Sequence, residues 1–249
     1  MSRGFVVRAA WSAALTAAGA GGCGDNYRTQ DATVDVAVEP QDARFVTPVD
    51  TARRPDASPF DAPPGVPDLQ FVASEMTKRI VEQHNFYPND CEVIEGCVGA
   101  AGARLLLRFD TVTANLGTGD LVVGVTPPPG ESNDTFQWSP CHMHHHYANY
   151  VAYQLIDSAG SVVTAHKQAF CLEDGEQVQV GTTPRGFSCL NQGISRGFAD
   201  VYSRYTPCQW IDVTGMPSGD YTLRAEVNPL HTLPESSYDN NVFTVGVTL

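Results

Sequence analysis

The sequence predicts a mainly β, sandwich-like domain with long loops, and three observations lead to that prediction. Short segments of alternating apolar and polar residues recur, turns rich in Gly, Pro and Asn separate them, and no long helical period appears. The clearest pair of predicted strands lies at the C-terminus, where alternate residues form one face on each strand. Those faces comprise Tyr221, Leu223, Ala225 and Val227 on the first strand, and Phe243, Val245, Val247 and Leu249 on the second.

The other predicted strands are shorter and lie closer together. Residues 103–109 and 121–123 form two of them, and the turn-forming run at 127–130 precedes a histidine-rich strand. At most one short helix is predicted, between Ser74 and Gln83. This pattern favours one β domain whose loops carry function.

The first 65 residues are predicted to lie outside that domain. Residues 1–22 contain two arginines and then an apolar run too short to span a membrane, as in an export signal. Small residues lead to Cys23, as in a bacterial lipoprotein processing box, so lipidation of Cys23 is expected; cleavage and secretion is the alternative. Residues 24–65, rich in Pro, Asp and Ala, are predicted to form a disordered tether. Residues 66–249 remain as the folded domain, in an oxidising extracytoplasmic compartment.

The cysteines fit that compartment. Six remain when Cys23 is set aside, an even number that predicts disulfides in an exported, loop-rich domain. A zinc cluster is disfavoured because no C-x-x-C pair occurs. From spacing alone, many pairings stay open. The six are Cys91, Cys97, Cys141, Cys171, Cys189 and Cys208.

The net charge of −13 limits the classes of partner. Nucleic acid is not expected as a partner, because phosphate binding needs clustered Lys and Arg. An acidic surface can attract cationic amines or basic proteins, or it can serve solubility alone.

Residues 141–146, Cys-His-Met-His-His-His, are the strongest candidate site in the chain. On an extended strand, His142, His144 and His146 would point the same way, roughly 7 Å apart in succession. Three neutral imidazoles suit copper or zinc. The alternative interpretation is a solvated histidine-rich surface.

Five segments, in order, resemble the catalytic domain of the lysyl oxidases, and the resemblance covers residues 67–249. Residues 138–146 are similar to the copper-binding segment, and residues 166–174 and 197–202 to the segments that supply a lysine and a tyrosine. The last two are Cys208-Gln-Trp-Ile-Asp212 and the segment from Asn228 to Asn241. Taken alone, Lys167 would be a surface lysine and Tyr202 a core aromatic residue.

The resemblance implies a copper-dependent amine oxidase. His142, His144 and His146 would bind Cu(II), and Lys167 and Tyr202 would become cross-linked as lysine tyrosylquinone. The expected reaction uses molecular oxygen and water to convert a primary amine, of a peptidyl lysine or a small molecule, into an aldehyde, hydrogen peroxide and ammonia. Asp200 and Asp212 are candidate bases, although turn or capping roles are the simpler interpretation of each.

The resemblance also implies three disulfides and a calcium site. The expected disulfides are Cys91–Cys97, Cys141–Cys189 and Cys171–Cys208. The expected calcium ligands are Asp68, the Leu69 carbonyl, Glu235, Asn240 and Asn241, oxygen donors that suit Ca²⁺. Ser237 replaces a carboxylate there, and loop hydrogen bonds by the Asn side chains are the alternative.

Two other functions remain open at this stage. The chain could be an extracytoplasmic copper-binding module that never forms the quinone, or an adhesive β domain with a vestigial site. The presence of both Lys167 and Tyr202 favours the enzyme, because a copper-binding module needs neither residue. The sequence does not identify the substrate.

Overall fold

A computed structural model describes residues 65–165 and 170–249. The predicted export signal, Cys23, all but the last residue of the predicted tether, and Lys167 lie outside the described residues. The described part contains fifteen strands and one short helix, α1, at Cys91–Ile94. The strands are β1 Leu69–Phe71, β2 Arg79–Phe86, β3 Gly102–Phe109, β4 Thr111–Asn115, β5 Leu121–Val125, β6 Phe136–Ser139, β7 His144–Tyr147, β8 Val151–Asp157, β9 Val162–Thr164, β10 Glu176–Gln177, β11 Asn191–Ile194, β12 Phe198–Tyr202, β13 Trp210–Asp212, β14 Asp220–Val227 and β15 Val242–Thr248.

The strands form two four-stranded sheets and three smaller ones, and all their pairings are antiparallel. One large sheet has the order β1-β4-β12-β10 and the other the order β15-β14-β8-β9. The smaller sheets are β13-β3-β2, β11-β5 and β6-β7. The prediction of a mainly β fold is therefore confirmed.

The main core lies between the two large sheets, and apolar residues of β3 and β13 also line it. The Tyr153 hydroxyl on β8 donates to the Thr111 hydroxyl on β4 at 2.8 Å, so side chains of the two sheets meet directly. The rings of Phe71 on β1 and Phe243 on β15 contact each other at 6.2 Å between centroids. Apolar burial between these layers supplies the main favourable term in folding.

The predicted C-terminal strand pair is confirmed. Tyr221, Leu223, Ala225 and Val227 on β14 are all buried, while the intervening residues are more exposed. On β15, Val247 is buried and its neighbours at alternate positions pack against the same core. The period of two in the sequence therefore matches the pleat of the sheet.

The predicted helix between Ser74 and Gln83 is wrong. Residues 73–77 form turns, and Arg79–Phe86 is strand β2, which pairs along its full length with β3. Alternating exposure along β2 shows that its residues follow a strand period. Within the described residues, no helix has the length and apolar character needed to cross a membrane.

The three expected disulfides are also wrong. Cys97 is bonded to Cys208, and Cys171 is bonded to Cys189. The first bond closes a small second core in which the Trp210 indole donates to the Cys97 carbonyl at 3.1 Å. Because strand β13 lies against β3, Cys208 meets Cys97, and the expected Cys171–Cys208 bond cannot form.

Cys91 and Cys141 are the remaining cysteines of the described residues, and both are reduced. Their thiols are hydrogen-bonded to each other, and this contact is the main cause that raises the pKa of Cys91 to about 12. The two thiols therefore already have the proximity that a third bond requires.

We expect Cys91 and Cys141 to become disulfide-bonded when the protein is produced in an oxidising compartment. Non-reducing peptide mapping by mass spectrometry should recover three linked pairs: Cys91–Cys141, Cys97–Cys208 and Cys171–Cys189. Cys91→Ser should leave Cys141 open to alkylation and the other two pairs intact. Recovery of Cys91 linked to Cys97 would contradict the fold described here.

Candidate metal centre and its surroundings

Three imidazoles converge at the start of strand β7, through a turn that the strand prediction did not include. His144 and His146 lie on β7, but His142 precedes the strand in a turn at which Met143 has a φ of 57°. On a fully extended segment the first and third side chains would be roughly 14 Å apart, too far to share one ion. The turn returns His142 toward the strand, and ligand nitrogens of the three histidines lie within 4.8 Å of one another.

This nitrogen set fits a copper ion. The Nε2 atoms of His144 and His146 are 3.0 Å apart, and the His142 ring lies 5.6 Å and 5.5 Å from those two rings between centroids. Neutral imidazole is a preferred ligand of Cu(II), and three of them leave coordination positions for other donors. The structure thus brings together all three predicted metal ligands.

His145 and Met143 do not join this set. The His145 ring is buried, its Nε2 lies 2.8 Å from the Glu131 carbonyl, and Trp138 packs on it at 4.9 Å between centroids. Met143 is 70% exposed. These two side chains therefore point away from the three converging imidazoles.

A carboxylate and a hydroxyl support His142 from behind. Glu95, at the C-terminal end of α1, places Oε2 3.5 Å from His142 Nδ1. The Ser139 hydroxyl donates to Glu95 Oε1 and accepts the His142 backbone N–H at 3.0 Å. Sequence reasoning missed Glu95, which lies far upstream of the histidines and carries no motif of its own.

Tyr202 is fixed at the end of strand β12, in the interior of a large sheet. Gly197, with a φ of 77°, forms the turn before the strand, where an added Cβ would lie 2.5 Å from Thr182. Strand β12 then pairs with β4, so that Tyr202 lies opposite Thr111. The Tyr202 hydroxyl donates to the Cys171 carbonyl, and its ring lies 4.3 Å from the Phe170 ring.

One segment, residues 170–172, connects the histidine strand to Tyr202. Phe170 forms a β-bridge with Tyr147, the residue after His146. The Tyr147 N–H donates to the Phe170 carbonyl with an N···O distance of 2.6 Å, and the Phe170 N–H donates to the Tyr147 carbonyl at 3.2 Å. The buried Gln192 joins the same two segments, donating to the His145 carbonyl at 2.7 Å and accepting the Leu172 N–H at 3.2 Å. Gln192 is a second residue that sequence reasoning missed.

Lys167 lies outside the described residues, three positions before Phe170 in the sequence. Asp174, at the other end of the same motif, has a structural role. Its carboxylate accepts hydrogen bonds from the backbone N–H groups of Gly186, Phe187 and Ser195 and from the Ser195 hydroxyl.

The two candidate bases differ in their surroundings. Asp212 ends strand β13, where its carboxylate accepts the Thr214 N–H of the following turn at 3.0 Å and lies 3.7 Å from Arg104. Asp200, by contrast, is buried on the same strand as Tyr202, and its Oδ2 has no hydrogen-bond partner among the described residues. The capping interpretation therefore fits Asp212 and does not fit Asp200.

Burial dominates the electrostatics around Tyr202. It raises the pKa of the Asp200 carboxyl well above its ordinary value, and hydrogen bonding to Tyr202 and to backbone N–H groups only partly opposes this. Burial, reinforced by the charge of Asp200, also raises the pKa of the Tyr202 phenol. In the metal-free protein the phenol is therefore strongly held in its protonated form.

The side chains of the predicted calcium ligands also lie together. Glu235 accepts the Leu69 N–H at 2.7 Å and an Asn241 amide hydrogen at 2.9 Å, and Asp68 accepts an Asn240 amide hydrogen at 3.0 Å. The side-chain carbonyl oxygens of Asn240 and Asn241 are buried and have no partner among the described residues. Buried oxygens without donors fit a hard cation. Ser237 does not add a carboxylate there; its hydroxyl accepts the Asp239 N–H.

We expect Asp200→Asn to stabilise the metal-free protein increasingly as the pH rises. The pKa of Asp200 is higher in the folded than in the unfolded chain, so its contribution to stability is full below an unfolded value near 4 and is lost as the pH rises toward the folded value. Asparagine does not ionise. The melting temperature of the variant minus that of the wild type should grow by about 3 °C or more from pH 4 to pH 8.

The exposed Asp134→Asn is the matched control for that experiment and should show no such trend. A difference between Asp200→Asn and wild type that is constant across this range would contradict the raised pKa.

Comparison with known proteins identifies the family of this chain. Residues 76–249 match the model of the family described as lysyl oxidase. Human lysyl oxidase homolog 1 is 32% identical over 213 residues, covering 80% of this chain and 35% of the relative. Pig protein-lysine 6-oxidase is 32% identical over 197 residues, covering 74% of this chain and 75% of the relative, and the human protein-lysine 6-oxidase is 34% identical over 195 residues, covering 72% and 44%.

The chain spans about a third of the length of human lysyl oxidase homolog 1. The matched region includes every described residue that we have placed at the histidine centre and around Tyr202. On this evidence, the chain belongs to the lysyl oxidase family.

Proposed function

We propose that this protein is a copper-dependent amine oxidase that forms lysine tyrosylquinone from Lys167 and Tyr202. The observation that carries the proposal is the convergence of His142, His144 and His146 beside the segment that holds Tyr202. The relatives named protein-lysine 6-oxidase support an oxidoreductase of this class.

The chain's own residues would have separate roles. His142, His144 and His146 would hold copper through imidazole nitrogens, and Tyr202 would supply the ring of the cofactor. Lys167, which precedes Phe170 by three residues, would supply the amine. When formed, the copper and quinone pair supplies the electron acceptor that amino-acid side chains lack.

The groups around Tyr202 would hold its ring in one position and limit its contact with water. The Phe170 ring and the Cys171 carbonyl fix its position, and burial excludes water from one side of it. Asp200 lies beside the hydroxyl and is the described carboxylate best placed to receive its proton. In this proposal the Asp212 carboxylate caps the turn after strand β13 and takes no part in proton transfer.

The proposed substrates are primary amines, either small molecules or lysine side chains of a protein, and oxygen is the proposed acceptor. The products would be an aldehyde, ammonia and hydrogen peroxide. The net charge of −13 favours the approach of cationic amines. An extracytoplasmic location, with residues 1–22 as the export signal and Cys23 as a lipid-anchor site, is part of the proposal and agrees with the two disulfides.

We expect His144→Ala to abolish both copper binding and quinone formation. Loss of one of three imidazoles removes one of the proposed copper ligands, and the quinone depends on copper. Metal analysis after copper loading in air, together with redox-cycling staining for quinones, measures both. His84→Ala, which alters a histidine packed on Phe86 in strand β2, should change neither. A His144→Ala protein that still forms the quinone would contradict the proposed role of the centre.

Lys167→Met should prevent the cross-link while leaving copper binding intact. The chain has only one other lysine, so Lys78→Met is a closely matched control and should cross-link normally. After copper loading in air, peptide mass spectrometry of the wild type should recover the Lys167 and Tyr202 peptides as one cross-linked species that has lost hydrogens and gained an oxygen atom. Two ordinary peptides with copper bound would instead identify a copper-binding module that makes no quinone.

We also propose that Asp68, the Leu69 carbonyl, Glu235, Asn240 and Asn241 bind Ca²⁺. The two buried Asn carbonyl oxygens without partners support this proposal. Burial raises the pKa of Glu235, and a bound cation would offset that cost by favouring the charged carboxylate.

Calcium at about a hundred times its dissociation constant should raise the melting temperature by about 5 °C or more. Glu235→Gln should remove most of that increase, and Glu176→Gln, at an exposed position, should retain it. Differential scanning fluorimetry with calcium or with a chelator measures the effect. Equal melting temperatures of the wild type in both conditions would refute the calcium site.

A further inference from the structure

Glu95 occupies a position behind the histidine centre that no motif indicates. Its Oε2 lies 3.5 Å from His142 Nδ1, and its Oε1 accepts a hydrogen bond from Ser139. The Ser139 hydroxyl in turn accepts the His142 backbone N–H at 3.0 Å. His142 is therefore held at two points, one on the ring and one on the backbone, and Glu95 takes part in both.

We propose that Glu95 is the outer carboxylate of the copper centre, a positioning residue that orients His142 and favours Cu(II) over Cu(I). This inference rests on the proposed copper site. A carboxylate on Nδ1 keeps the proton on that nitrogen, which leaves Nε2 of His142 for the metal. His144 and His146 also direct Nε2 atoms to the centre, 3.0 Å apart, so the three histidines would use the same ring nitrogen.

The surroundings of Glu95 keep its carboxylate in place. Glu95 ends helix α1, where its N–H donates to the Cys91 carbonyl at 2.8 Å. On one side of it Cys91 contacts Cys141, the residue before His142, and on the other side Cys97 is bonded to Cys208. The helix that carries Glu95 is therefore held against the histidine segment independently of Glu95 itself.

The charge of Glu95 acts at short range in a site with little solvent. The Glu95 side chain is 12% exposed and that of His142 is 18% exposed, so water screens their interaction weakly. Cu(II) carries one more positive charge than Cu(I), so a fixed negative charge stabilises Cu(II) more. A loss of orientation alone would weaken both oxidation states, whereas a loss of charge should weaken mainly Cu(II).

The test measures the dissociation constants of Cu(II) and of Cu(I) by chelator competition in the full chain, without oxygen, so that no quinone forms. Glu95→Gln keeps the size and the hydrogen-bonding atoms of the side chain and removes its charge. We expect Cu(II) affinity to fall about 10- to 100-fold and Cu(I) affinity to fall less than about threefold. Glu92→Gln, with the same loss of charge on the same helix, should change both by less than about threefold.

Ser139→Ala separates orientation from charge, because it removes the hydroxyl and keeps the carboxylate. We expect it to weaken Cu(II) and Cu(I) by similar factors. Equal losses for both ions in Glu95→Gln would overturn the charge role, and no loss would overturn the proposal entirely.

The outcome is distinguishable from failure of the proposed enzyme function. If the wild type binds Cu(II) and Glu95→Gln weakens it selectively, the role of Glu95 stands even when no amine is oxidised. A wild type that does not bind Cu(II) would refute the copper site and this inference together. A wild type that binds copper and oxidises amines, with affinities unchanged in Glu95→Gln, would refute this inference alone.

Discussion

The antiparallel bridge between Tyr147 and Phe170 is the contact on which the arrangement of the candidate site depends. It joins the end of the histidine strand to a segment that has no other regular pairing. Through that segment, the Phe170 ring and the Cys171 carbonyl reach Tyr202 on a different sheet. The bridge therefore links the strand that carries His144 and His146 to the segment that contacts Tyr202.

The bridge is reinforced by polar contacts that are costly to break. Gln192 is fully buried and bonds to the backbone on both sides of the bridge, at His145 and at Leu172. Loss of that amide would leave two buried backbone groups without partners, at about 1–3 kcal/mol for each. The Cys171–Cys189 bond fixes the same segment covalently. Together, the Gln192 hydrogen bonds and the disulfide fix the position of residues 170–172.

The sequence predicted the elements whose signal is local and failed where the signal depends on distant contacts. The alternation in strand β14 predicts its buried face, because the period of a strand is written in adjacent residues. The three histidines that meet at the candidate metal centre were also predicted, although as an extended strand. Met143 adopts a positive φ that a non-glycine residue rarely shows, and nothing in its type indicates this.

The disulfide pairing and the contact of Glu95 with His142 could not be predicted from local sequence, because both join residues that are distant along the chain. Cys97 and Cys208 are separated by 111 positions and meet only because strand β13 pairs with β3. Glu95 meets His142 because α1 and the turn before β7 lie together, and neither segment encodes the other. A carboxylate distant in sequence becomes informative only when the fold supplies its neighbour.

The protein combines two kinds of environment within one site, and the combination suits the chemistry proposed for it. Around the histidines, Glu95 and Ser139 contact the ring and the backbone of His142. Around Tyr202, burial raises the pKa of both the phenol and Asp200, so the ring resists ionisation until something stabilises its anion. A bound metal cation is the natural means of doing so. The phenol would therefore stay protonated in the metal-free protein and would lose its proton only when a cation stabilises its anion.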